Sequence, residues 1–410
     1  MPSTMSSRQF RAAVFIPRPE LRGGGDKMAL TIAQVLGAFG EVTVVTEVLN
    51  DPAELHEIGR FHNLDLRACR LLGLPRGRSL LTRMAYRSQA PQDVLYRLQD
   101  WENNRTLRRE GYDLFVNMAS ESQLTNPGHR GVYVCMFPPV PDRPMLQTGT
   151  SGRIWRLAVR RLGGRDPHLG RSYDRVLPIS TFTAEWLRRW WGIDSPLCLY
   201  PPCEDLARFG VERRRMILNV GRFFANTGDS HHKRQDILLD AFAEMTDLHD
   251  QGWELVFVGA VHDAGESAEF VRALRERARG LPVRILTAVD HAELATLMNQ
   301  ATIYWHGTGY GTDLNAQPGR QEHFGISTVE AMSAGAVAVV YAGAGARDTV
   351  EEGVTGLTWN TVEELQAQTR SIAADPVGLA SMSAAGRRAA ARFGRDAFRR
   401  TLTDVVAQLL

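Results

Sequence analysis

Two glutamates with seven residues between them stand in the run Glu322-His323-Phe324-Gly325-Ile326-Ser327-Thr328-Val329-Glu330, followed by Ala331-Met332-Ser333-Ala334-Gly335. A carboxylate accepts two hydrogen bonds from neighbouring hydroxyls, while a glycine before a helix start lets backbone amides approach an anion. An acidic loop residue, a glycine and a helix N-terminus together suit a sugar that carries phosphates. Ser327-x-x-Glu330 also reads as a capping box, which would explain Glu330 by helix initiation alone. A second cluster is cationic: Gly221-Arg222 follows an apolar run, and Lys233-Arg234 opens the next helical pattern. Two cations brought to one strand end can clamp a diphosphate and neutralise it as a leaving group; taken singly, they read as surface charges. The third cluster is Gly23-Gly24-Gly25-Asp26-Lys27. It matches neither GxGxxG nor GxxxxGK[ST], so a dinucleotide fingerprint or Walker loop is unsupported, and as a plain strand-to-helix turn it would use Asp26 as the helix cap. Of the 48 basic residues only Lys27 and Lys233 are lysines, and both fall within these clusters. A compact ammonium retained against such an arginine bias marks positions where arginine would not serve. His231 and His232 have no third ligand in view, and no metal site is expected.

The elements that must position these residues alternate. Ala12 to Pro17 reads as a buried strand, Lys27 to Phe39 as a helix with apolar Met28, Leu30, Ile32, Val35 and Leu36, and Val42 to Thr46 as a second strand. Tyr112 to Asn117, Gly131 to Phe137 and Arg175 to Ile179 read as further strands. The alternation breaks at Tyr200-Pro201-Pro202-Cys203 and in the charged stretch ending at Arg215. It then restarts with strands at Met216 to Val220, Trp253 to Val258, Val283 to Leu286, Ile303 to Trp305 and Val337 to Val340. Helices are expected between them at Gln235 to Met245, Glu266 to Arg279, Ala292 to Gln300 and Ser327 to Ala334. The fold class is therefore α/β, with two doubly wound Rossmann-like domains whose strand ends face across a cleft. Their expected limits are 1–199, a linker at 200–215, 216–385, and a C-terminal helix at 386–410 that packs back on the N-terminal domain.

A chain of 410 residues exceeds the usual single core of about 250–300. With 44% hydrophobic and 23% charged residues, disordered, collagen-like and coiled-coil classes are excluded. No apolar run reaches membrane-span length and no signal peptide is visible, so a cytoplasmic location is expected. Cys69, Cys135, Cys198 and Cys203 show no CxxC pair, which argues for reduced thiols rather than zinc or disulfides. The net charge of +2 divides unevenly, with a basic first half and an acidic second half. The strongest basic run, Arg153, Arg156, Arg160, Arg161, Arg165 and Arg171, is either a solvated helix face or a surface for anionic lipid headgroups or a phosphate-bearing acceptor.

The Glu322 to Glu330 segment resembles the E-x7-E motif of retaining glycosyltransferases of family 4, which have the GT-B fold. The resemblance extends through Gly221-Arg222, Lys233-Arg234-Gln235 and Gly353-Val354-Thr355-Gly356-Leu357, and more loosely through the glycine turn and Tyr200-Pro201-Pro202. It implies transfer of a hexose from a nucleotide diphosphate sugar to a hydroxyl of a glycan, lipid-linked or small-molecule acceptor. The anomer is kept by front-face displacement, in which the leaving phosphate oxygen takes the acceptor's proton. In this scheme Arg222 and Lys233 bind the diphosphate and stabilise the leaving charge, and Glu322 holds donor-sugar hydroxyls. Phe324, Gly325 and Ile326 present backbone to the sugar and phosphates, Glu330 binds the ribose, and Gly24 and Gly25 approach the diphosphate. The base is expected against Gly259 to Val261 and Thr287 to Val289, with uridine, guanosine and adenosine all open. No cofactor, no metal and no nucleic acid is expected, in keeping with the lack of Asp-x-Asp; peripheral membrane contact is allowed by the basic run. Many family members carry a histidine before proline at a strand end of the first domain, where this chain has Cys135-Met136-Phe137-Pro138-Pro139. The Arg222 to Lys233 gap is also longer than is usual. These departures leave an inactive GT-B nucleotide-binding scaffold as the alternative, while a nicotinamide oxidoreductase would rest on the double Rossmann-like pattern alone.

Overall fold

A computed structural model describes residues 10–19, 23–75, 79–87, 92–119, 124–139, 169–208, 210–224, 232–261 and 265–410. His231 and the basic run from Arg153 to Arg165 lie outside them. The chain divides into two compact units, Met1–Pro201 with Arg399–Leu410, and Pro202–Phe398.

The first unit holds a parallel six-stranded sheet: β1 (Arg11–Phe15), β2 (Glu41–Thr46), β3 (Arg70–Gly73), β4 (Leu114–Asn117), β5 (Arg130–Cys135) and β6 (Arg175–Pro178). Its order is β3-β2-β1-β4-β5-β6. Ala13, Phe15, Phe115, Tyr133 and Cys135 point to one face and pack against Leu187 and Trp191 of the helix Thr181–Trp191. That helix is delimited by Ser180, whose hydroxyl accepts the Thr183 amide at 3.1 Å, and by Gly192 in the left-handed region.

The second unit repeats the plan with β7 (Arg214–Val220), β8 (Glu254–Val258), β9 (Val283–Leu286), β10 (Ala301–His306), β11 (Val337–Tyr341) and β12 (Gly356–Trp359). The order is β12-β11-β10-β7-β8-β9, again all parallel. Alternation along each strand feeds two cores. Ile217, Ile303 and Trp305 pack with Phe242, Val339 and Trp359 on one face, while Met216, Leu218 and Tyr304 pack with Val256, Met298 and Ala331 on the other. The chain runs outward from β7 to β9, returns to β10 on the other side of β7, and continues outward to β12. Connections therefore leave β7 and β10 in opposite directions and open a crevice at their carboxyl ends, where ligands bind in such sheets.

Sequence and structure differ in informative places. The strands that periodicity did not reveal, β3 and β12, are both sheet edges of four residues, one of them a terminal glycine, which leaves three side chains to show a pattern. The first helix starts at Gly24 rather than Lys27, and Asp26 acts from its third position, where its Oδ2 accepts the Gly23 amide at 2.7 Å. Gly386 lies inside the helix Pro376–Ala390, where a Cβ would stand 3.1 Å from the Thr355 carbonyl oxygen; the last helix is Arg395–Leu409. The stretch after Pro202 is bound into the second unit, with the Leu206 amide on Ser333 Oγ at 3.0 Å and the Arg208 amide on Asn299 Oδ1 at 2.9 Å.

The ends of β7 and β8 meet at two glycines. The Gly221 amide donates to the Val258 carbonyl at 2.9 Å, and a Cβ on Gly259 would overlap the Gly221 carbonyl oxygen. Backbone cannot move aside as a flexible side chain can, so Gly259→Ala should destabilise the protein by about 1–3 kcal/mol through overpacking, read as a lower urea midpoint.

Candidate functional site

The chemistry-bearing residues of the second unit gather at the β7–β10 crevice. Gly221 follows β7, and Lys233 comes two residues before the helix Gln235–Ala243 that follows that strand. A Cβ on Gly221 would stand 2.8 Å from Lys233 Cγ, so the absence of a side chain there is what lets the lysine stem lie against the strand end. Lys233 Nζ donates to Glu322 Oε2 at 2.6 Å. About one fifth of each side chain is exposed, 21% and 20%, so the pair is partly desolvated and still reachable. From the end of β10, buried His306 brings Nε2 to 3.1 Å from the same Glu322 oxygen and to 3.0 Å from Thr308 Oγ1. An ionised carboxylate only accepts, so chemistry assigns the His306 proton to Nε2. Burial alone would raise the Glu322 carboxyl, but the Lys233 charge and the His306 hydrogen bond outweigh it and hold the group well below the usual carboxylate range.

The helix Ile326–Ser333 delivers the rest. Its cap is Gly325 at φ 94°, a left-handed conformation that favours glycine, and not Ser327, as a capping box would require. Ser327 is instead tied to the strand ends: the Tyr304 hydroxyl lies 2.8 Å from Ser327 Oγ, and Ser327 Oγ lies 3.3 Å from the Val220 carbonyl oxygen. Burial pushes the Tyr304 phenol up, so it stays a neutral donor. Phe324 is buried with its ring edge-on to Phe393 at 5.2 Å, which leaves its backbone beside Gly325 and Ile326. The Glu322 carbonyl accepts the Gly345 amide at 2.7 Å, and a Cβ on Gly345 would overlap the Phe324 amide, so the loop is seated on backbone. One turn into the helix, Glu330 accepts the Glu204 amide on Oε1 at 3.3 Å.

The two expected cations differ in setting. Arg222 is exposed, with its guanidinium 4.8 Å from the Phe224 ring centroid, and it does not join the Lys233–Glu322 pair. Arg234 takes a structural part: it sits at φ 55°, bonds Asp236 Oδ1 at 3.3 Å and the Tyr310 carbonyl, and lies over the Tyr310 ring. His232 is likewise engaged, its Nδ1 accepting the Arg234 amide at 3.1 Å and its ring packed on Phe270. Gly24 and Gly25 belong to the first unit, at the start of the helix Gly24–Leu36. A Cβ on Gly25 would stand 2.7 Å from Met136 Sδ, so methionine packs on the glycine turn at the position where the resemblance leads one to look for histidine.

Two residues here were not singled out from sequence. His306 bonds Glu322, and Thr308 Oγ1 lies 3.0 Å from His306 Nε2; Gln235, which the resemblance included, is buried and donates to the carbonyls of Gly221 and Arg222 at 3.2 and 3.3 Å. The signal for the first pair was the glycine-rich turn His306-Gly307-Thr308-Gly309 directly after an apolar run; the strand extends one residue beyond Trp305 and so ends on the histidine.

A family model described as "Glycosyl transferases group 1" matches residues 207–389. D-inositol 3-phosphate glycosyltransferase of Segniliparus rotundus is 32% identical over 257 residues, 58% of this chain and 53% of that protein. GDP-Man:Man(3)GlcNAc(2)-PP-Dol alpha-1,2-mannosyltransferase of Dictyostelium discoideum is 25% identical over 259 residues, 58% and 48% respectively. The chain thus spans about half the length of the curated relatives it matches. Among solved structures, Anabaena Alr3699/HepE in complex with UDP and glucose superposes with a TM-score of 0.66 at 17% identity, covering 97% of this chain and 100% of that one. Sucrose-phosphate synthase of Thermosynechococcus elongatus gives 0.66 at 18% identity, covering 98% and 99%. At these identities the likeness is one of fold, the two-domain Rossmann-like α/β architecture of GT-B glycosyltransferases.

The Glu322 environment has a pH signature. A carboxyl held low in the folded state stabilises it fully above its unfolded value of about 4.3, and below that the contribution falls by about 1.4 kcal/mol per pH unit until the folded value is passed. Glu322→Gln should cost about 1.5–3 kcal/mol at pH 7, as a charged hydrogen bond is lost, and its urea midpoint should fall less than that of the wild type between pH 7 and pH 3.

Proposed function

We propose that the protein is a retaining glycosyltransferase of the family 4 kind, moving a hexose from a nucleoside diphosphate sugar to a hydroxyl acceptor. The observation that carries the reading is the Glu322 carboxylate held between Lys233 and His306 at the β7–β10 crevice, inside the stretch matched by the group 1 model. In this mechanism the diphosphate takes the Lys233 ammonium as a counter-ion, and Arg222 closes on it from the exposed side. The helix N-terminus at Gly325-Ile326 adds its amides. Glu322, kept ionised and oriented by His306, accepts hydrogen bonds from two donor-sugar hydroxyls, and Glu330 does the same for the ribose.

Bond breaking places negative charge on the leaving phosphate oxygen, which Lys233 and Arg222 stabilise more strongly than they do the ground state. That oxygen takes the acceptor proton as the acceptor attacks from the same face, so the anomeric configuration is kept without a protein general base. The two cations and the helix N-terminus supply the charge stabilisation in this scheme, with no resident metal assigned. The donor base is left to experiment: UDP is bound by the Anabaena neighbour and GDP-mannose is named for the Dictyostelium relative.

Thermal unfolding against uridine, guanosine and adenosine diphosphates and their sugars tests the site. A ligand at 100 times its dissociation constant adds about 2.7 kcal/mol, so one base should raise the melting temperature clearly. Lys233→Ala and Arg222→Ala should each abolish the rise. Transfer products should keep the donor's anomeric configuration, and an inverted product would overturn the mechanism. Binding without turnover across a range of acceptors would instead favour the inactive scaffold.

A further inference from the structure

The first unit carries a surface that the transfer reading does not use. The helices Leu80–Arg87 and Gln92–Glu110 pack on each other, and on the inner side Thr82 Oγ1 donates to buried Glu102 Oε1 at 3.0 Å. Among the described side chains, the exposed residues fall at helical spacing. On the shorter helix they are Leu80, Arg83, Met84 and Arg87; on the longer they are Trp101, Arg105 and Arg108, with Arg109 beside them. Leu80, Met84 and Trp101 are 70%, 59% and 57% exposed, among the largest exposures of any bulky apolar residue in the described chain.

Among the described side chains of the two helices the charges are segregated. Every cation just named is outward, whereas Asp100 and Glu102 are buried and Glu110 is bonded to Arg70 at 3.0 Å. A solvated face of this size ordinarily mixes both signs and keeps tryptophan, leucine and methionine inside. Exposed apolar side chains between arginines, with Asp100, Glu102 and Glu110 withdrawn, match a bilayer surface that offers acyl chains below and anionic headgroups above. Tryptophan is suited to that boundary because its ring is apolar and its indole N–H is polar.

We infer that this helix pair is a docking face for an anionic lipid membrane. The inference does not depend on the catalytic reading, and none of the residues that carry it belongs to the sequence run Arg153 to Arg171. The full chain should co-sediment with phosphatidylcholine vesicles containing phosphatidylglycerol, bind pure phosphatidylcholine weakly, and be released by salt.

The double variants Arg105→Glu with Arg108→Glu, and Met84→Ser with Trp101→Ser, should each lower partitioning by about tenfold or more. Arg272→Glu with Arg279→Glu, exposed on the second unit, should leave it unchanged. The altered side chains are exposed, and an unchanged melting temperature together with retained nucleotide-diphosphate binding separates loss of docking from loss of fold. Equal binding to both vesicle types, or binding undiminished in both docking variants, would overturn the inference. So would concentration-dependent self-association abolished by the same variants, which would assign the face to a second copy of the chain.

Discussion

The arrangement of the second unit turns on one contact between unlike charges. Lys233 and Glu322 are 89 residues apart in sequence and 2.6 Å apart in space. Neither charge could be held in a partly desolvated crevice alone, because an unpaired charge removed from water costs several kcal/mol. The surrounding features are the conditions for that pairing. Gly221 leaves room for the lysine stem, His306 at the end of β10 fixes the carboxylate oxygen from the other side, and Gly345 seats the loop that carries Glu322.

The strand order makes the contact possible. The reversal between β7 and β10 brings the segments after two adjacent strands to the same end of the sheet while sending their connections in opposite directions. Ser327 then joins three elements at that point, meeting Tyr304 of β10 and the last carbonyl of β7 from the first turn of its helix. The topology chooses the place, and the chemistry found there is set by residues that each strand end and each helix start had to put there.

Much of this was legible in sequence, for physical reasons that differ between elements. The central strands carry long β-branched and aromatic runs because both faces are buried, so periodicity found them; β3 and β12 are four-residue edges with a glycine at one end, and the three remaining side chains escaped it. Glu322, Lys233 and Gly325 were visible because charged and glycine residues at strand ends have few structural explanations. His306 was not, since a histidine that closes an apolar strand reads as a core residue until its partner is known. Ser327 shows the opposite error, a local motif with a plausible local role that the tertiary contacts assign elsewhere. Arg234 was grouped with Lys233 by charge, yet its backbone geometry and its bonds to Asp236 and Tyr310 make it a brace for the turn.

The chain's near-exclusive use of arginine has a consequence for the two exposed helices of the first unit. A guanidinium stays charged across the whole physiological pH range and is not a substrate for the acylation that neutralises lysine. A face built from Arg83, Arg87, Arg105, Arg108 and Arg109 therefore has a charge that the cell cannot acetylate away. Whatever that face meets, the variable that sets how strongly it is held belongs to the other party.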